Sequence, residues 1–338
     1  MRELSRLDVE ISNKFAPKKK YAKKLANVYK RIGLDKKSKT VGSCANFIEY
    51  GVYSDDTARL NKVYFCKDKL CPLCAWRKEL KLFNQVSKCV DVLQAQKYRF
   101  VFVTLTMRNC EATSKALQET LDDYNAAYVR LVRLNRIKRI VKGAYRAIEV
   151  TYNAETDTFH PHMHLIWVVP KNYFDSHDYI KQSELCELWK QSLNIDYTPI
   201  CDIRVVSGKK VNKNGKIISF DLKSAVAEAC KYAIKQSDYL NHSDEVNDKV
   251  VMELVKALAR RRLVSFYGVF AEVRRQLNLD DDIENGDLLH VSDDDNNAEL
   301  LYTMCFRWDN KSGTYIQFNV IMNIDINIRV DEDELLTG

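Results

Sequence analysis

Hydrophobic and polar positions along the 338-residue chain alternate with two periods, which predict helices mixed with strands. Apolar residues recur at helical spacing in 76–97. A longer amphipathic pattern covers 113–140 and begins at Thr113 and Ser114, two residue types that cap helices. Shorter helical patterns are predicted at 183–193, 222–237 and 248–263. Residues 1–40 show some helical pattern as well.

Runs rich in β-branched and aromatic residues predict strands between these helices. They lie at 98–107, 144–152, 160–169, 203–206, 302–308 and 314–321. The turn-forming sequence NAETDT at 153–158 joins two of the runs, so an antiparallel pair is expected there. Because strands and helices do not alternate strictly, the pattern favours an α+β fold with a central antiparallel sheet.

The composition supports a folded protein, since 46% of the residues are hydrophobic and 10% are aromatic. No stretch has the apolar length needed to cross a bilayer, so no membrane association is expected. The N-terminus carries Arg2, Glu3, Arg6 and Asp8 and lacks the apolar core of a signal peptide. These features predict a cytoplasmic protein.

The net charge of +7 is distributed unevenly. Residues 17–39 contain ten lysines and arginines and one acid, Asp35, whereas 280–299 are strongly acidic. A basic segment suits a phosphate backbone because neutralising phosphates releases counterions. A solvated tail explains the same composition equally well.

Three of the six histidines lie in the sequence His160-Pro-His162-Met-His164. Residues two apart share a face of a strand, so His162 and His164 are expected to project side by side. Two imidazoles on one rigid strand make half of a site for zinc, manganese or magnesium. Glu149 on the preceding strand is the predicted third ligand, with His160 as the alternative.

A second chemical pattern lies on the predicted helix 222–237. Glu228 and Tyr232 are four residues apart and would share a helix face, and Lys231 and Lys235 form a neighbouring pair. A tyrosine near a metal can attack phosphorus, a carboxylate can activate water, and lysines can bind phosphates. Ordinary packing explains most tyrosines in a chain that has 18. Tyr239 is the rival nucleophile.

Four cysteines form the third pattern, Cys66-x4-Cys71-x2-Cys74 with Cys44 upstream. In a reducing compartment, clustered cysteines indicate a metal site rather than disulfides. The spacing predicts a closed structural zinc site with four thiolate ligands.

Together these motifs resemble plasmid rolling-circle replication initiators of the HUH endonuclease superfamily, in the class with one catalytic tyrosine. The similar segments run in the family's order over roughly residues 40–310. They are the cysteine-rich stretch with Arg77 and Lys78 after it, Phe102-Val-Thr-Leu-Thr106, His162-Met-His164, and Glu228-x3-Tyr232 with Lys231 and Lys235. The resemblance implies the HUH fold, with the histidines on a central antiparallel sheet flanked by helices and the tyrosine on a helix opposite.

The resemblance also implies a reaction and its partners. With Mg²⁺ or Mn²⁺, Tyr232 would attack single-stranded or hairpin-extruded plasmid origin DNA and form a 5′-phosphotyrosine. The free 3′-hydroxyl would serve a host polymerase, and Glu228 would direct water in the closing step. No P-loop motif is present, so a host helicase is also implied. Lys231, Lys235, Arg77 and Lys78 are the expected DNA-binding residues, in the bacterial cytoplasm, and a homodimer is compatible with the sequence.

The predicted organisation has four parts. They are a basic N-terminal arm at 1–40, a zinc-binding cysteine element with a helix at 41–97, an HUH nicking core at 98–240, and a C-terminal α/β extension at 241–338. Two alternative functions remain open at this point: a relaxase or transposase of the same superfamily, and a non-catalytic zinc-containing DNA-binding protein.

Overall fold

The computed structural model describes residues 11–206, 210–211, 217–231, 234–291 and 298–323. Its strands are β1 (Phe47–Tyr53), β2 (Ala58–Val63), β3 (Arg99–Thr106), β4 (Cys110–Glu111), β5 (Gly143–Asn153), β6 (Thr158–Val169), β7 (Cys201–Val206), β8 (Lys210–Val211), β9 (Ile217–Phe220), β10 (Val264–Gly268), β11 (Leu300–Asp309) and β12 (Thr314–Met322). Its α-helices are α1 (Ala16–Arg31), α2 (Asp35–Ser43), α3 (Pro72–Ala95), α4 (Ser114–Arg133), α5 (Asn135–Ile140), α6 (Gln182–Leu193), α7 (Leu222–Ala229), α8 (Ser237–Leu240), α9 (Asp244–Ala257) and α10 (Val269–Gln276).

The chain forms two compact units that do not follow chain order. One contains 1–17, 45–64 and 293–338, and the other contains 18–44 and 65–292. The predicted segments 41–97 and 241–338 therefore each contribute to both units. The fold is α+β with antiparallel sheets, as the sequence predicts.

The first unit contains a four-stranded antiparallel sheet in the order β12-β11-β1-β2. The two predicted strands at 302–308 and 314–321 are confirmed as the hairpin β11–β12. β11 also pairs with β1, so residues near both ends of the chain share this sheet. Phe15 and Tyr315 pack edge to face beside it, with ring centroids 6.3 Å apart.

The second unit is built on a larger sheet in the order β10-β5-β6-β3-β7-β9-β8. The predicted strands at 98–107, 144–152 and 160–169 become its three central strands, and β5 and β6 form the expected antiparallel pair. Side chains alternate along β6, so Met163 and Leu165 lie on the face opposite His162 and His164. The centre of the larger sheet therefore has one apolar face, with Met163 and Leu165, and one polar face, with His162 and His164.

Helices cover both faces of this central region. Arg146, the cross-strand neighbour of Leu165, donates to Asn125 of α4 at 2.7 Å, which places α4 on the apolar face. Helix α7 packs against β6 and against α3. The sheet thus holds the histidines between a buried apolar layer and the segment that carries Glu228.

Two predicted helices end earlier than their patterns indicate. The amphipathic pattern at 113–140 forms two helices, because the backbone of Leu134 leaves the helical conformation between α4 and α5. The first is capped by Thr113, whose hydroxyl accepts from the backbone N–H of Ala116 at 3.2 Å. The helix predicted at 222–237 ends at Ala229, although 229–235 contain no glycine or proline.

In the part of the chain that the structure describes, none of the helices combines the length and apolar character required for a bilayer crossing.

Candidate metal centres and the histidine face

The paired histidines lie in the middle of the larger sheet. His162 and His164 are opposite Thr106 and Thr104 of β3, and on the other side His162 is directly opposite Glu149 of β5. The rings of His162 and His164 are nearly parallel, with an interplanar angle of 8° and centroids 6.2 Å apart. Strand alternation and register therefore bring the predicted ligands onto one face.

Hydrogen bonds hold most of this set in place. His164 Nδ1 is 3.2 Å from Thr104 Oγ1, and His164 Nε2 is 3.3 Å from Glu149 Oε2. His164 and Glu149 are each 6% exposed. His162 Nδ1 is buried and has no hydrogen-bond partner among the described residues. Buried polar atoms rarely lack a partner, so this nitrogen fits a site that a cation completes.

Burial and neighbouring charges set the protonation of the face. Burial lowers the pKa of His162 to about 4, and the positive charges of His160 and His164 add to the effect. Burial alone would raise the pKa of Glu149, but the hydrogen bond from His164 and the charges of His164, Lys235 and Lys231 outweigh it and lower the pKa. His162 is therefore neutral and Glu149 ionised near pH 7, as metal ligands must be.

His160, the alternative third ligand, lies on the same strand. Its ring centroid is 4.2 Å from that of His162. Burial lowers its pKa as well. Both candidates are therefore close to His162, but only Glu149 also contacts His164.

The segment after α7 carries the other predicted residues. Tyr232 lies outside the described residues. Helix α7 ends at Ala229, so Lys231 and Lys235 lie after it. The expected shared face of Glu228 and Tyr232 includes a residue outside the described ranges and stays a prediction. Lys231 Nζ contacts Glu228 Oε1 at 2.5 Å. We call the surface formed by His162, His164 and Glu149 the histidine face. Lys235 is 56% exposed, and its Nζ lies 3.8 Å from Glu149 Oε1, at the rim of this face.

The rival nucleophile Tyr239 is placed in the interior. Its side chain is 1% exposed, and its hydroxyl donates to the carbonyl of Leu70 at 2.5 Å. Burial raises its pKa well above the ordinary value. Tyr239 is thus a packing residue that fixes the loop before Cys71.

Sequence reasoning missed two residues of this face. Thr104 contacts the ring of His164 through its hydroxyl. The sequence feature that could identify Thr104 is the pair of threonines, 104 and 106, at alternate positions of an apolar strand. Glu79 of α3 interacts electrostatically with Lys231, Glu149 and Lys235. Burial raises the pKa of Glu79, and the charge of Glu149 also raises it. No local pattern links Glu79 to the histidines, because only the packing of α3 on α7 brings it there.

The four predicted cysteines converge at one point. One sulfur from each of Cys44, Cys66, Cys71 and Cys74 lies within 4.8 Å of the others. Cys74 Sγ is 3.7 Å from Cys44 Sγ and 3.5 Å from Cys66 Sγ. Sulfurs about 2.3 Å from a tetrahedral zinc lie about 3.8 Å apart, so this spacing fits Zn²⁺. Among the described residues, no other set of three or more ligand groups is this close.

Neighbouring groups fix the cysteine loop. The backbone N–H of Lys67 donates to Cys74 Sγ at 3.2 Å, and that of Cys66 donates to Cys44 Sγ at 3.5 Å. Asp68 accepts from the hydroxyl of Tyr29 at 2.9 Å and from the backbone N–H of Leu70 at 2.9 Å. The loop is therefore held by helix α1 on one side and its own turn on the other.

Arg77 and Lys78, predicted to bind DNA, are buried in the structure. Lys78 is 0% exposed and pairs with Glu284 at 2.9 Å. Arg77 is 8% exposed and donates to the carbonyls of Leu288 and Leu289 at 2.8 and 2.6 Å. A DNA contact requires an exposed charge, so this placement corrects the prediction. The segment that holds both side chains, 284–289, lies about two hundred positions further along the chain.

Comparison with known proteins gives a consistent family assignment. A family model described as Replication protein (Rep_1) matches residues 57–316. A "Protein rep" of Streptococcus pneumoniae serotype 2 (strain D39 / NCTC 7466) is 37% identical over 276 residues, which cover 80% of this chain and 81% of that protein. A "Protein rep" of Bacillus amyloliquefaciens is 35% identical over 296 residues, which cover 82% and 86% of the two chains.

A further "Protein rep", from Bacillus sp, is 37% identical over 267 residues, with 76% and 85% of the two chains covered. No solved structure matches the chain. The family model spans the paired histidines, the Glu228 segment and three of the four clustered cysteines, and it covers well over half of the chain. The chain therefore belongs to the Rep_1 family of replication proteins.

Proposed function

We propose that this protein is a plasmid replication initiator that nicks one strand of the double-strand origin and starts rolling-circle replication. In this proposal the unit built on the larger sheet adopts the HUH fold. Tyr232 is the nucleophile, and His162, His164 and Glu149 hold a catalytic Mg²⁺ or Mn²⁺. The observation that carries the proposal is the arrangement of two imidazoles and one carboxylate on adjacent strands of one sheet.

The donor set fits a divalent cation. His162 offers a buried nitrogen that has no partner among the described residues, and Glu149 is ionised beside two lysines that offset its charge. When bound, the cation would polarise a phosphate oxygen and make the phosphorus more electrophilic. Thr104 would keep the ring of His164 in one orientation, as second-layer partners of metal ligands do.

The chain's own groups account for the transfer. The phenolic oxygen of Tyr232 would form a bond to phosphorus while the bond to the 3′ oxygen breaks. The products are a 5′-phosphotyrosine and a 3′-hydroxyl that takes up a proton. Lys235, exposed at the rim, would bind a neighbouring phosphate, and Lys231 would do so after exchanging its contact with Glu228.

Glu228 gives the reaction a second outcome. A carboxylate can take a proton from water, and the resulting hydroxide attacks phosphorus and releases the tyrosine. Another tyrosine at that position would instead make another covalent link. Glu228 therefore suits the closing or release step at termination.

The remaining parts of the proposal concern partners and the second metal. The four cysteines would hold a structural Zn²⁺ that ties the end of α2 to the loop between β2 and α3. The new 3′-hydroxyl would be extended by a host DNA polymerase after a host helicase separates the strands. These steps place the protein in the bacterial cytoplasm.

The decisive experiment measures covalent adduct formation. The protein is incubated with a 5′- and 3′-labelled single-stranded origin oligonucleotide and Mn²⁺, and products are separated under denaturing conditions. Wild type should form a protein adduct with the 3′ fragment and release a 5′ fragment ending in a hydroxyl. Tyr232→Phe should form no adduct, because the ring remains but the attacking oxygen is lost.

Tyr239→Phe is the matched control, since its hydroxyl bonds a backbone carbonyl in the interior. It should form the adduct at a rate close to that of wild type. Adduct formation by Tyr232→Phe but not by Tyr239→Phe would overturn the assignment of the nucleophile. If wild type binds origin DNA but forms no adduct with any divalent cation, a non-catalytic DNA-binding function replaces the proposal.

A further inference from the structure

An exposed surface lies next to the histidine face, at the end of β3. Thr106, the last residue of β3, is directly opposite His162. Its hydroxyl donates to the carbonyl of Ile200 at 2.8 Å, and its carbonyl accepts from the indole N–H of Trp189 at 2.8 Å. The first bond holds the segment before β7, and the second holds helix α6, against the strand end that neighbours His162.

Arg108 and Tyr197 form a stack at this position. The guanidinium carbon of Arg108 is 3.9 Å from the centroid of the Tyr197 ring, and the backbone N–H of Arg108 donates to the Tyr197 hydroxyl at 3.0 Å. Arg108 is exposed, and Tyr197 is half-buried. The exposed guanidinium of Arg108 lies against the Tyr197 ring on one flat side, and among the described residues no ion pair to a carboxylate is found for it, so its charge and its other flat side are available to a ligand.

Ile200 adds an apolar side chain three residues after Tyr197. It is 76% exposed, more than any other large hydrophobic residue in the described ranges. Its backbone is fixed by Thr106, so the exposure is a consequence of a held conformation. A single exposed isoleucine is ordinary. Here, however, the backbone of Ile200 is bonded to Thr106, two residues before Arg108, so the isoleucine, the arginine and the tyrosine belong to one short stretch of surface with flat, apolar and cationic parts.

That combination suits an unpaired nucleotide. Bases stack on aromatic rings and on arginine planes, and the cation can meet the adjoining phosphate. Bases in a duplex are stacked on each other and do not offer their faces. We propose that Arg108, Tyr197 and Ile200 form a subsite that stacks one unpaired base of the origin strand next to the cleaved phosphate. This inference rests on the proposed nicking function.

The test couples a protein change to a DNA change. Binding of a fluorescent single-stranded origin oligonucleotide is measured by anisotropy in the Tyr232→Phe background, so that no covalent product forms. Each nucleotide around the nick position is replaced in turn by an abasic residue. Tyr197→Ala should raise Kd about 5- to 150-fold, the range that stacking of one base contributes.

At one position, the abasic substitution should raise Kd as much as Tyr197→Ala does when Tyr197 is intact. The same substitution should raise Kd no further in the Tyr197→Ala protein. Tyr197→Phe should bind within about twofold of the parent, since it keeps the ring that stacking requires. Arg108→Lys should bind more weakly than the parent at that same position, because it keeps the charge and loses the plane. Circular dichroism and thermal melting check that Tyr197→Ala is folded.

Arg59 and Tyr53 supply a matched control in the other compact unit, with a guanidinium carbon 4.3 Å from the ring centroid. Tyr53→Ala should show no dependence on any single abasic position. The subsite proposal is overturned if abasic and Tyr197→Ala losses multiply at every position, or if Tyr197→Ala changes only self-association measured by sedimentation.

Failure of the nicking function gives a different result. Wild type would then form no adduct in the separate cleavage assay, whatever the behaviour of Tyr197. An intact adduct reaction combined with unchanged DNA binding by Tyr197→Ala would overturn the subsite alone.

Discussion

The cysteine cluster and the histidine face are two candidate ligand sets in the same compact unit, and they are built differently. The four sulfurs come from a loop and two helix ends, and all lie within 4.8 Å of one another. The histidine face takes two candidate ligands from β6 and one from β5, and the centroids of its two histidine rings are 6.2 Å apart. Closed four-ligand sites are typical of structural zinc, whereas catalytic sites keep a position open for substrate.

The two sets also differ in their exposure to solvent, and the cysteine cluster is the more enclosed of the two. Cys44, Cys71 and Cys74 are each 0% exposed. The histidine face is bordered by Lys235, which is 56% exposed. A ligand set that substrate must reach cannot be enclosed on all sides. We therefore expect loss of the cysteine cluster to change stability first, and loss of the histidine face to change activity first.

The largest expected effect is on the cysteine side. Cys71→Ser should lose bound zinc, and the free energy of unfolding should fall by about 4 kcal/mol or more, because loss of a structural metal is among the most destabilising changes. Metal content by mass spectrometry and thermal melting measure both quantities. Cys89→Ala is the control, since Cys89 is buried outside the cluster and should cost only about 1 kcal/mol. Equal melting of the two variants, or wild type without zinc, would contradict the structural role.

The next effect is on activity alone. His164→Ala should slow adduct formation more than about 100-fold, beyond the range seen when only a second-layer partner of a metal is removed. The free energy of unfolding should change by only about 1 kcal/mol. His177→Ala, at an exposed histidine in a loop, should match wild type in both measurements. A His164→Ala protein that melts as early as Cys71→Ser would remove the contrast between the two sets.

The sequence predicts that the side chains of each candidate set lie close together, and the structure confirms that proximity, because the signals are local. Alternation along one strand places His162 and His164 on the same face, and the spacing of Cys66, Cys71 and Cys74 brings three thiols together within nine residues. The three central strands and the antiparallel pairing of β5 with β6 follow from similar short-range patterns.

What the sequence did not predict depends on distant contacts. Lys78 meets Glu284 across 206 positions, and β1 pairs with β11 across about 250. No local pattern identifies such partners, so the charges of Arg77 and Lys78 were assigned to DNA. The end of α7 at Ala229 was not predictable either, since no glycine or proline follows it in 230–235. Tyr232 lies outside the described residues, so its role stays a prediction.

The third ligand of the histidine face gives a smaller effect and a choice between two residues. Glu149→Gln should weaken Mn²⁺ binding by more than about 10-fold, at least the effect of losing a second-layer partner, since the amide keeps the shape and removes the charge. His160→Ala should weaken it less than about threefold, because in the described structure only Glu149 contacts His164 as well as facing His162. Isothermal titration with Mn²⁺ measures both. The reverse ranking would make His160 the ligand and leave Glu149 as the partner of Lys235.

The smallest effect tests whether the histidine face is supported by a second layer, as catalytic metal sites usually are. Thr104 Oγ1 lies 3.2 Å from His164 Nδ1, and Thr104→Val keeps the volume while removing the hydroxyl. Mn²⁺ affinity should fall about 10-fold, at the lower end of second-layer effects. Thr120→Val is the matched control, because Thr120 is a buried threonine on α4. Titration of both variants beside thermal melting separates lost orientation from lost packing. If the two variants bind Mn²⁺ equally, the hydroxyl of Thr104 does not orient the ring of His164, and the hydrogen bond to Glu149 is sufficient.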